Sequence, residues 1–422
     1  MKFKIISLGC KVNSYECSSL ASLLIKAGHE EAKDSPNEEV GIALINTCSV
    51  TATADQKSRQ HIRKLRNIYP NAIICVMGCY AQKRHEFIKN DIKADIIVGT
   101  NNRSEIPSLI DEFIKNKKQI DKVEEKTRFF SYEELGITSY NENVRAYLKI
   151  QDGCDNFCSY CIIPFTRGKS RSRQPEEILK EARYLIKNGY KEIVITGIHV
   201  GGYGSDLTDY SFSTLIDELS SLEGLYSLRI SSIEESEIDE KLISLVKNRK
   251  NIAKHLHIPL QSGSESVLKR MNRKYDKASF LSTLKRIREE IPDIALTTDV
   301  IVGFPGETIE EFDETYNFIK ECDFNMLHVF PFSARENTKA IRMPNQISPD
   351  VKKERVKTLI DLSNNLWEQY TNKFLNKEVE VLVEEYDEIN KINRGHTTNY
   401  LDVSFKNDEN LVGKIIHTTY KK

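Results

Sequence analysis

The chain has 422 residues, 39% hydrophobic and 29% charged, a composition that supports two or three domains with sizeable cores and excludes a disordered or fibrous protein. The formal net charge is −1 and the isoelectric point is near 6.8, so any contact with nucleic acid has to come from local basic patches rather than a global excess of charge. There is no apolar run of roughly 18 residues to span a membrane, and MKFKIISLGCKVNSYE has too short an apolar stretch and no small-residue cleavage site for a signal peptide. The expectation is a cytoplasmic monomer with no membrane partner.

Apolar runs at residues 3–8, 41–46, 72–78 and 95–99 are short, β-branched and nearly continuous, as in strands buried on both faces. Helical stretches lie between them, for example residues 54–69, and the alternation implies a doubly wound α/β domain with a parallel sheet over residues 1–114. Residues 115–142 are charged and poorly periodic and read as a linker.

From residue 143 to 370 the alternation resumes with a longer period. Strands are expected at residues 146–151, 192–197, 226–232, 255–262, 295–303 and 325–333, with helices at 175–189, 212–222, 240–248, 278–291 and 309–322. Pro175 followed by Glu176 and Glu177 suits a helix first turn. Six β/α units are too few for a closed eight-stranded barrel and suit an open (β/α)6 barrel. A long helix follows at residues 349–374. In the tail, residues 371–422, the alternating runs VEVLVEE, NYLDVSF and VGKIIHTTY indicate a small antiparallel β module, of the small-barrel kind used on RNA.

The nine cysteines, in a chain read as intracellular, point to metal or catalytic roles rather than a disulfide framework. Cys154, Cys158 and Cys161 form a C-x3-C-x2-C triplet after the first barrel strand, at the mouth where barrel active sites collect. A structural zinc needs four ligands, and no fourth Cys or His stands nearby, His199 being the next downstream. Three ligands leave one iron of a [4Fe–4S] cluster open. The alternative is a zinc site completed by a distant residue, or free buried cysteines. Cys10, Cys48 and Cys79 each close an apolar strand, and in a parallel sheet the carboxyl ends of strands share one crevice, so these three can converge. Cys17, Cys75 and Cys322 lie within or near the end of elements and read as small buried hydrophobes.

SLGCKVNSYE, INTCSVTATADQKSRQ, GCYAQ, KIQDGCDNFCSYCIIPFTRG, TGIHVGGYG, HIPLQSGSESVLKRMNR, TDVIVGFPGET and VFPFSARENT together resemble the methylthiotransferase branch of the radical S-adenosylmethionine superfamily, almost from end to end. GCKVN, the Thr51 after Cys48-Ser-Val, ADQKSRQ and GCYAQ resemble the subgroup acting on threonylcarbamoyladenosine in tRNA. Siblings acting on isopentenyladenosine or on a ribosomal-protein aspartate usually carry GCQMN or GCPKN instead. GHTTNYLDVSF resembles the family's RNA-binding TRAM module.

The resemblance implies that Cys154, Cys158 and Cys161 hold a [4Fe–4S] cluster that binds and reductively cleaves S-adenosylmethionine, giving a 5′-deoxyadenosyl radical. It also implies that Cys10, Cys48 and Cys79 hold a second [4Fe–4S] cluster carrying the sulfur to be inserted at C2 of the adenine. An electron donor, a sulfur source and tRNA are the implied partners. Strand-end positions make Thr196, Gly197, Glu234 and Gln261 candidates for the methionine and ribose ends of S-adenosylmethionine, and Gly303 and Val329 for its adenine. For Glu234 the alternative is a solvated loop carboxylate, and for Gln261 a turn hydrogen bond.

Arg167, Lys169, Arg171 and Arg173 form a basic run after the triplet, and Lys57, Arg59, Arg63, Lys64 and Arg66 a second on a helix; either suits RNA phosphates or a solvated face. One arginine of the first run is also a candidate for holding the cofactor carboxylate. His199, His255 and His257 read as packed or hydrogen-bonded rather than metal-bound, and GFPGE lacks the spacing of a dinucleotide fingerprint. The rival readings are the two sibling methylthiotransferases and, in another class, a non-catalytic metal-containing RNA-binding protein.

Overall fold

The computed structural model describes residues 1–33, 39–125, 131–136 and 144–422. Strands β1 (Lys2–Ser7), β2 (Glu30–Glu31), β3 (Ile42–Thr47), β4 (Ile73–Gly78), β5 (Ile96–Ile97) and β6 (Ile120–Asp121) form one parallel sheet in the order β2-β1-β3-β4-β5-β6. Every residue of β3 and β4 is buried, because both faces are covered. Helices α1 (Lys11–Lys26), α2 (Ala52–Ile68), α3 (Cys79–Phe87) and α4 (Ile106–Asn116) divide between the faces. Leu20 and Leu24 of α1 and Leu109 and Ile110 of α4 cover one face, while Ile62 and Leu65 of α2 and Tyr80 and Ala81 of α3 cover the other. The doubly wound reading therefore holds.

Strand β6 lies in the stretch expected to be a linker. Its two residues are too few to register as an apolar run, yet they extend the sheet beside β5. Glu133 and Glu134 of the same stretch bind Arg103 and Arg173, so this segment fastens the two large domains together. Residues 126–130 and 137–142 of the expected linker lie outside the described residues.

Six parallel strands follow: β7 (Arg145–Lys149) and, after the ribbon of β8 (Gln151–Asp152) with β9 (Arg171–Ser172), β10 (Glu192–Thr196), β11 (Ser227–Ile230), β12 (His255–His257), β13 (Ala295–Val302) and β14 (Met326–Pro331). Single parallel bridges, Leu228 to Ile252 and Ser232 to His257, join the sheets β7-β10-β11 and β12-β13-β14 into one curved row. No pairing of β7 with β14 occurs among the described residues, so this is the open six-stranded barrel that the sequence implied. The short α5 (Ile163–Thr166) lies in the loop from β8 to β9, and outside the barrel run α6 (Pro175–Lys187), α7 (Phe212–Ser220), α8 (Glu240–Asn248), α9 (Glu265–Met271), α10 (Lys277–Glu290), α11 (Ile309–Glu321) and α12 (Pro349–Asn372). Their starts are set locally: Asp239, Asp276, Thr308 and Ser348 each accept a backbone N–H of the first turn.

Strand alternation sorts the barrel residues. Ala146, Leu148, Ile193, Ile195, Leu228 and Ile230 face the helices and join the main core. Arg145, Tyr147, Lys149, Glu192, Thr196 and Arg229 alternate with them and face the lumen, which is therefore polar.

The tail folds as an antiparallel sheet of four strands, β15 (Glu378–Asp387), β16 (Ile392–His396), β17 (Asp402–Lys406) and β18 (Ile415–Thr419), in the order β17-β16-β15-β18. Strand β16, INRGH, has no apolar alternation and carries no strand signal in the sequence. This is the small antiparallel β module that the sequence implied, with no β17–β18 pairing among the described residues. The module seals the N-terminal end of the barrel. Arg229 donates to the carbonyls of Thr397 and Thr398, both at 3.3 Å, and its guanidinium lies 4.6 Å from the Tyr400 ring. His396 meets Glu384 at 2.7 Å and Glu192 at 3.4 Å.

Candidate active site

Cys10, Cys48 and Cys79 stand at the carboxyl ends of β1, β3 and β4, where the sequence placed them. Gly9 has φ +109°, and a Cβ there would lie 2.7 Å from Cys48 Cβ, so only glycine lets the two loops approach. Cys10 caps α1 and Cys79 begins α3, so two of the three sulfurs sit at helix N-termini, where a thiolate is favoured. Burial pushes the Cys48 thiol up to about 11, with the Cys79 and Cys10 sulfurs adding to it. Burial also raises Cys79, against the pull of Arg167, whose Nε donates to Cys79 Sγ at 3.3 Å.

The loop from β8 to β9 carries the other triplet. Gly153 has φ +74°, and a Cβ there would strike the Lys169 carbonyl; the two arms of the loop are joined beside it by Cys154 N donating to Gly168 O at 3.1 Å. Ser159 N donates to Met271 O and Cys161 N to Cys158 O, both at 2.9 Å, pinning the middle of the loop. Burial pushes Cys154 up to about 11 and Cys161 up to about 12. Arg273, absent from the sequence-based candidates, donates from Nη1 to Cys158 Sγ at 3.4 Å and pairs with Glu234.

Both triplets thus share one feature, a buried guanidinium that donates to one of the three sulfurs. A cluster bound by three thiolates carries net negative charge, and each arginine is placed to offset it. Among the described residues no group of three or more His, Cys, Asp or Glu side chains is arranged to hold a single metal ion. Thiols that each bind a different corner iron of a cluster stand further apart than ligands of one ion.

A cavity of about 110 Å³ opens beside Cys158, lined among others by Asn156, His199, Glu234 and Arg273. Of the six candidates for S-adenosylmethionine, Glu234 faces this cavity. Thr196 and Gly197 end β10 against Gln151, whose Oε1 accepts from the N–H groups of Ile198 and His199 at 3.1 and 2.8 Å. Gln261 has φ +65° and bridges to β13, its N–H bonding the Asp299 carbonyl at 2.8 Å. Gly303 lies under the Lys352 side chain and gives its N–H to Glu307 at 2.6 Å. Val329 turns its side chain to the outer core, so only its backbone borders the lumen, where His328 and Phe330 alternate with it.

The basic run after the triplet is not an RNA surface. Arg167, Arg171 and Arg173 are 1%, 4% and 1% exposed, and only Lys169 is open to solvent. Arg167 binds Glu16 at 2.8 Å and Asp152 at 3.0 Å, and Lys149 and Arg103 bind the same two carboxylates. Arg171 is held by the Arg167 and Lys169 carbonyls, and Arg173 by Glu134 and Glu181. These arginines are also committed away from any cofactor carboxylate. Acidic residues far away in the chain, Glu16 above all, decide this, and no local spacing reveals it.

On α2, Lys57, Arg63 and Lys64 are exposed and Arg59 half-buried, whereas Arg66 folds back onto Asp95 at 2.7 Å. His255 and His257 both hydrogen-bond Thr297 Oγ1 at 2.9 Å, as packed histidines should. His199 pairs with Glu237 at 2.5 Å; burial opposes its cation, but Glu237 and Glu234 outweigh that and raise its pKa. Cys17, Cys75 and Cys322 are buried. No helix among the described residues is long and apolar enough to cross a membrane.

Residues 148–319 match the radical SAM superfamily, and residues 2–99 match the uncharacterized protein family UPF0004. The chain is 47% identical over 414 residues to the threonylcarbamoyladenosine tRNA methylthiotransferase MtaB of Bacillus subtilis, covering 97% of this chain and 91% of that protein. It is 36% identical over 422 residues to the tRNA-2-methylthio-N(6)-dimethylallyladenosine synthase of Thermoanaerobacter pseudethanolicus, covering 98% and 88%. In fold it is similar to the radical S-adenosylmethionine methyltransferase TsrM of Kitasatospora setae, with a TM-score of 0.59 at 13% identity over 78% of this chain and 72% of that one. With two cysteine triplets on the expected domains and such identity along nearly its whole length, the chain belongs to the tRNA methylthiotransferase family of radical S-adenosylmethionine enzymes.

Proposed function

We propose that this enzyme adds a methylthio group to C2 of N6-threonylcarbamoyladenosine beside the anticodon of tRNA, with two [4Fe–4S] clusters and S-adenosylmethionine. The observation that carries the reading is that the chain has two separate cysteine triplets, each met by a buried arginine, and that Arg167 from the loop after the barrel triplet reaches Cys79 of the other. Cys10 of the N-terminal triplet is exposed at the tip of β1. The mouth of the barrel carries Cys154, Cys158 and Cys161. When bound, the barrel cluster with S-adenosylmethionine supplies the 5′-deoxyadenosyl radical, and the N-terminal cluster supplies the sulfur.

The protein's own groups position the reactants. Cys154, Cys158 and Cys161 hold the first cluster, with Arg273 against Cys158; Cys10, Cys48 and Cys79 hold the second, with Arg167 against Cys79. Glu234, which lines the cavity beside Cys158, is proposed to hold S-adenosylmethionine together with Thr196, Gly197, Gln261 and the backbone of Gly303 and Val329. C2 of a stacked, paired adenine is unreachable, so the nucleotide must come from a loop and be splayed out. The exposed face of α2, with Lys57, Arg59, Arg63 and Lys64, and the C-terminal module are proposed to hold the RNA backbone.

The threonylcarbamoyl substrate rests on the 47% identical relative and the GCKVN sequence; relatives at 36% identity keep the dimethylallyl reading as the competitor. Mass spectrometry of tRNA nucleosides from a deletion strain decides between them. The expected loss is the 2-methylthio form of threonylcarbamoyladenosine; its retention, with loss of methylthio on isopentenyladenosine, overturns the reading.

A further inference from the structure

We propose that Arg335 is a positioning residue: it latches the loop of Cys48 to the barrel and, through residues 332–342, fixes the offset between the two cysteine triplets. This rests on the two-cluster reading above. In that reaction the adenine carbon that loses hydrogen is the one that gains sulfur. The two triplets must therefore face one atom at one separation.

The stretch FSARENT, residues 332–338, follows the last barrel strand and reaches across to the N-terminal domain. Arg335 is 3% exposed. Its Nη2 donates to Asp55 Oδ2 at 2.5 Å and to Ser49 Oγ at 3.0 Å, and Ser49 in turn donates to Asp55 Oδ1 at 2.7 Å. Asp55 lies on α2, and one turn further along that helix Ser58 brackets Cys48. Its hydroxyl accepts the Cys48 N–H at 3.3 Å and donates to the Cys48 carbonyl at 3.0 Å. Ser333 adds a tie of its own, accepting the N–H of Ala52, the first residue of α2, at 2.9 Å. The neighbouring pair Arg84–Glu336 is about half exposed and adds little by comparison.

The other end of the same stretch reaches the barrel triplet. Thr338 turns the chain by donating from Oγ1 to the Arg335 carbonyl at 2.6 Å. Ala340 N then donates to the carbonyl of Ser159, between Cys158 and Cys161, at 2.9 Å. Phe332 and Ala340 are buried with Met271 and Phe304, and Tyr160 of the cysteine loop packs against them. One short run of chain is therefore bonded to both cysteine loops. At the other edge of the barrel sheet the N-terminal domain is held through Glu16 of α1, which binds Lys149 of β7 at 3.0 Å and Arg167 at 2.8 Å. A domain held along one edge can pivot about it. Arg335, beside β14, holds the opposite edge, and the Cys48 loop is the part that would swing without it.

The test compares wild type with Arg335→Ala and Asp55→Asn, each reconstituted and checked for iron. Asp55→Asn keeps an acceptor for Ser49 and removes only the ion pair. Hydrogen exchange read by mass spectrometry should rise in residues 47–58 of both variants. Methylthio product formed per 5′-deoxyadenosine, at saturating tRNA, should fall about 10- to 100-fold, the effect of roughly an ångström of misplacement. A variant that keeps its iron and is as coupled as wild type overturns the proposal, because the residue then only stabilises the fold. Wild-type exchange in residues 47–58 overturns it as well, and so does loss of iron in both variants, which would place the contact in cluster assembly. A wild type that holds iron for one cluster only overturns the two-cluster reading instead.

Discussion

Arg167 Nε donates to Cys79 Sγ at 3.3 Å, and this one bond ties the loop after the barrel triplet to the triplet of the other domain. The same guanidinium is the centre of a buried ionic group with Glu16, Asp152, Lys149 and Arg103. Removing one member of such a group leaves charge buried and unpaired. Arg167→Ala should therefore cost roughly 3–5 kcal/mol of stability, measured by denaturant unfolding of the reconstituted protein. Arg167→Lys should not restore it, because an ammonium cannot serve Cys79, Glu16 and Asp152 at once. Full stability in either variant would count against the bond.

Two triplets, each holding a four-iron cluster, give an expected content of about eight irons per chain. Replacing Cys154, Cys158 and Cys161 together with Ala should leave about half; unchanged iron would refute that site. Cys10→Ala, Cys48→Ala and Cys79→Ala should each abolish methylthiolation but spare cleavage of S-adenosylmethionine. The buried Cys17, Cys75 and Cys322 should instead lose only packing, roughly 1 kcal/mol each on change to Ala, with iron retained.

Docking of the C-terminal module should weaken as pH rises. Burial works against a charged His396, but the hydrogen bonds its ring donates to Glu192 and Glu384 prevail and raise its pKa above the ordinary 6.5. A raised pKa means that the folded state holds the proton more tightly than the unfolded one. The stabilisation is thus fully present below about pH 6.5 and is lost as pH climbs through the higher folded value. His396→Ala should abolish this slope, and limited proteolysis of the tail across pH 6 to 9, a window of about three units, reads it out.

On α2 the exposed Lys57, Arg63 and Lys64 should bind phosphates, while Arg66, bound to Asp95, should not. Changing any of the first three to Gln should weaken tRNA binding and flatten its salt dependence, by about 0.7–0.9 in log–log slope for each phosphate no longer neutralised. Arg66→Gln should leave the slope alone and cost stability. The reverse pattern, seen by filter binding over a salt series, would move the RNA elsewhere.

What the sequence determined by itself was whatever repeats locally. Uninterrupted β-branched runs foretold the two-face burial of β3 and β4, and six β/α units foretold the open barrel, because periodicity is written in neighbouring residues. The cysteine triplets were legible for the same reason: one is a single short loop, and each member of the other ends a strand, where a parallel sheet gathers its ends. Only the tertiary structure decided the partners of charge. Nothing in RGKSRSR says that Arg167, Arg171 and Arg173 are interior, because Glu16, Asp152, Glu134 and Glu181 reach them from distant segments. Arg273 on Cys158, the sheet-edge strand Ile120–Asp121 and the apolar-poor strand Ile392–His396 were hidden likewise, since their places depend on what packs beside them. Ion pairing and edge pairing are set by distance in space, and a sequence gives only distance along the chain.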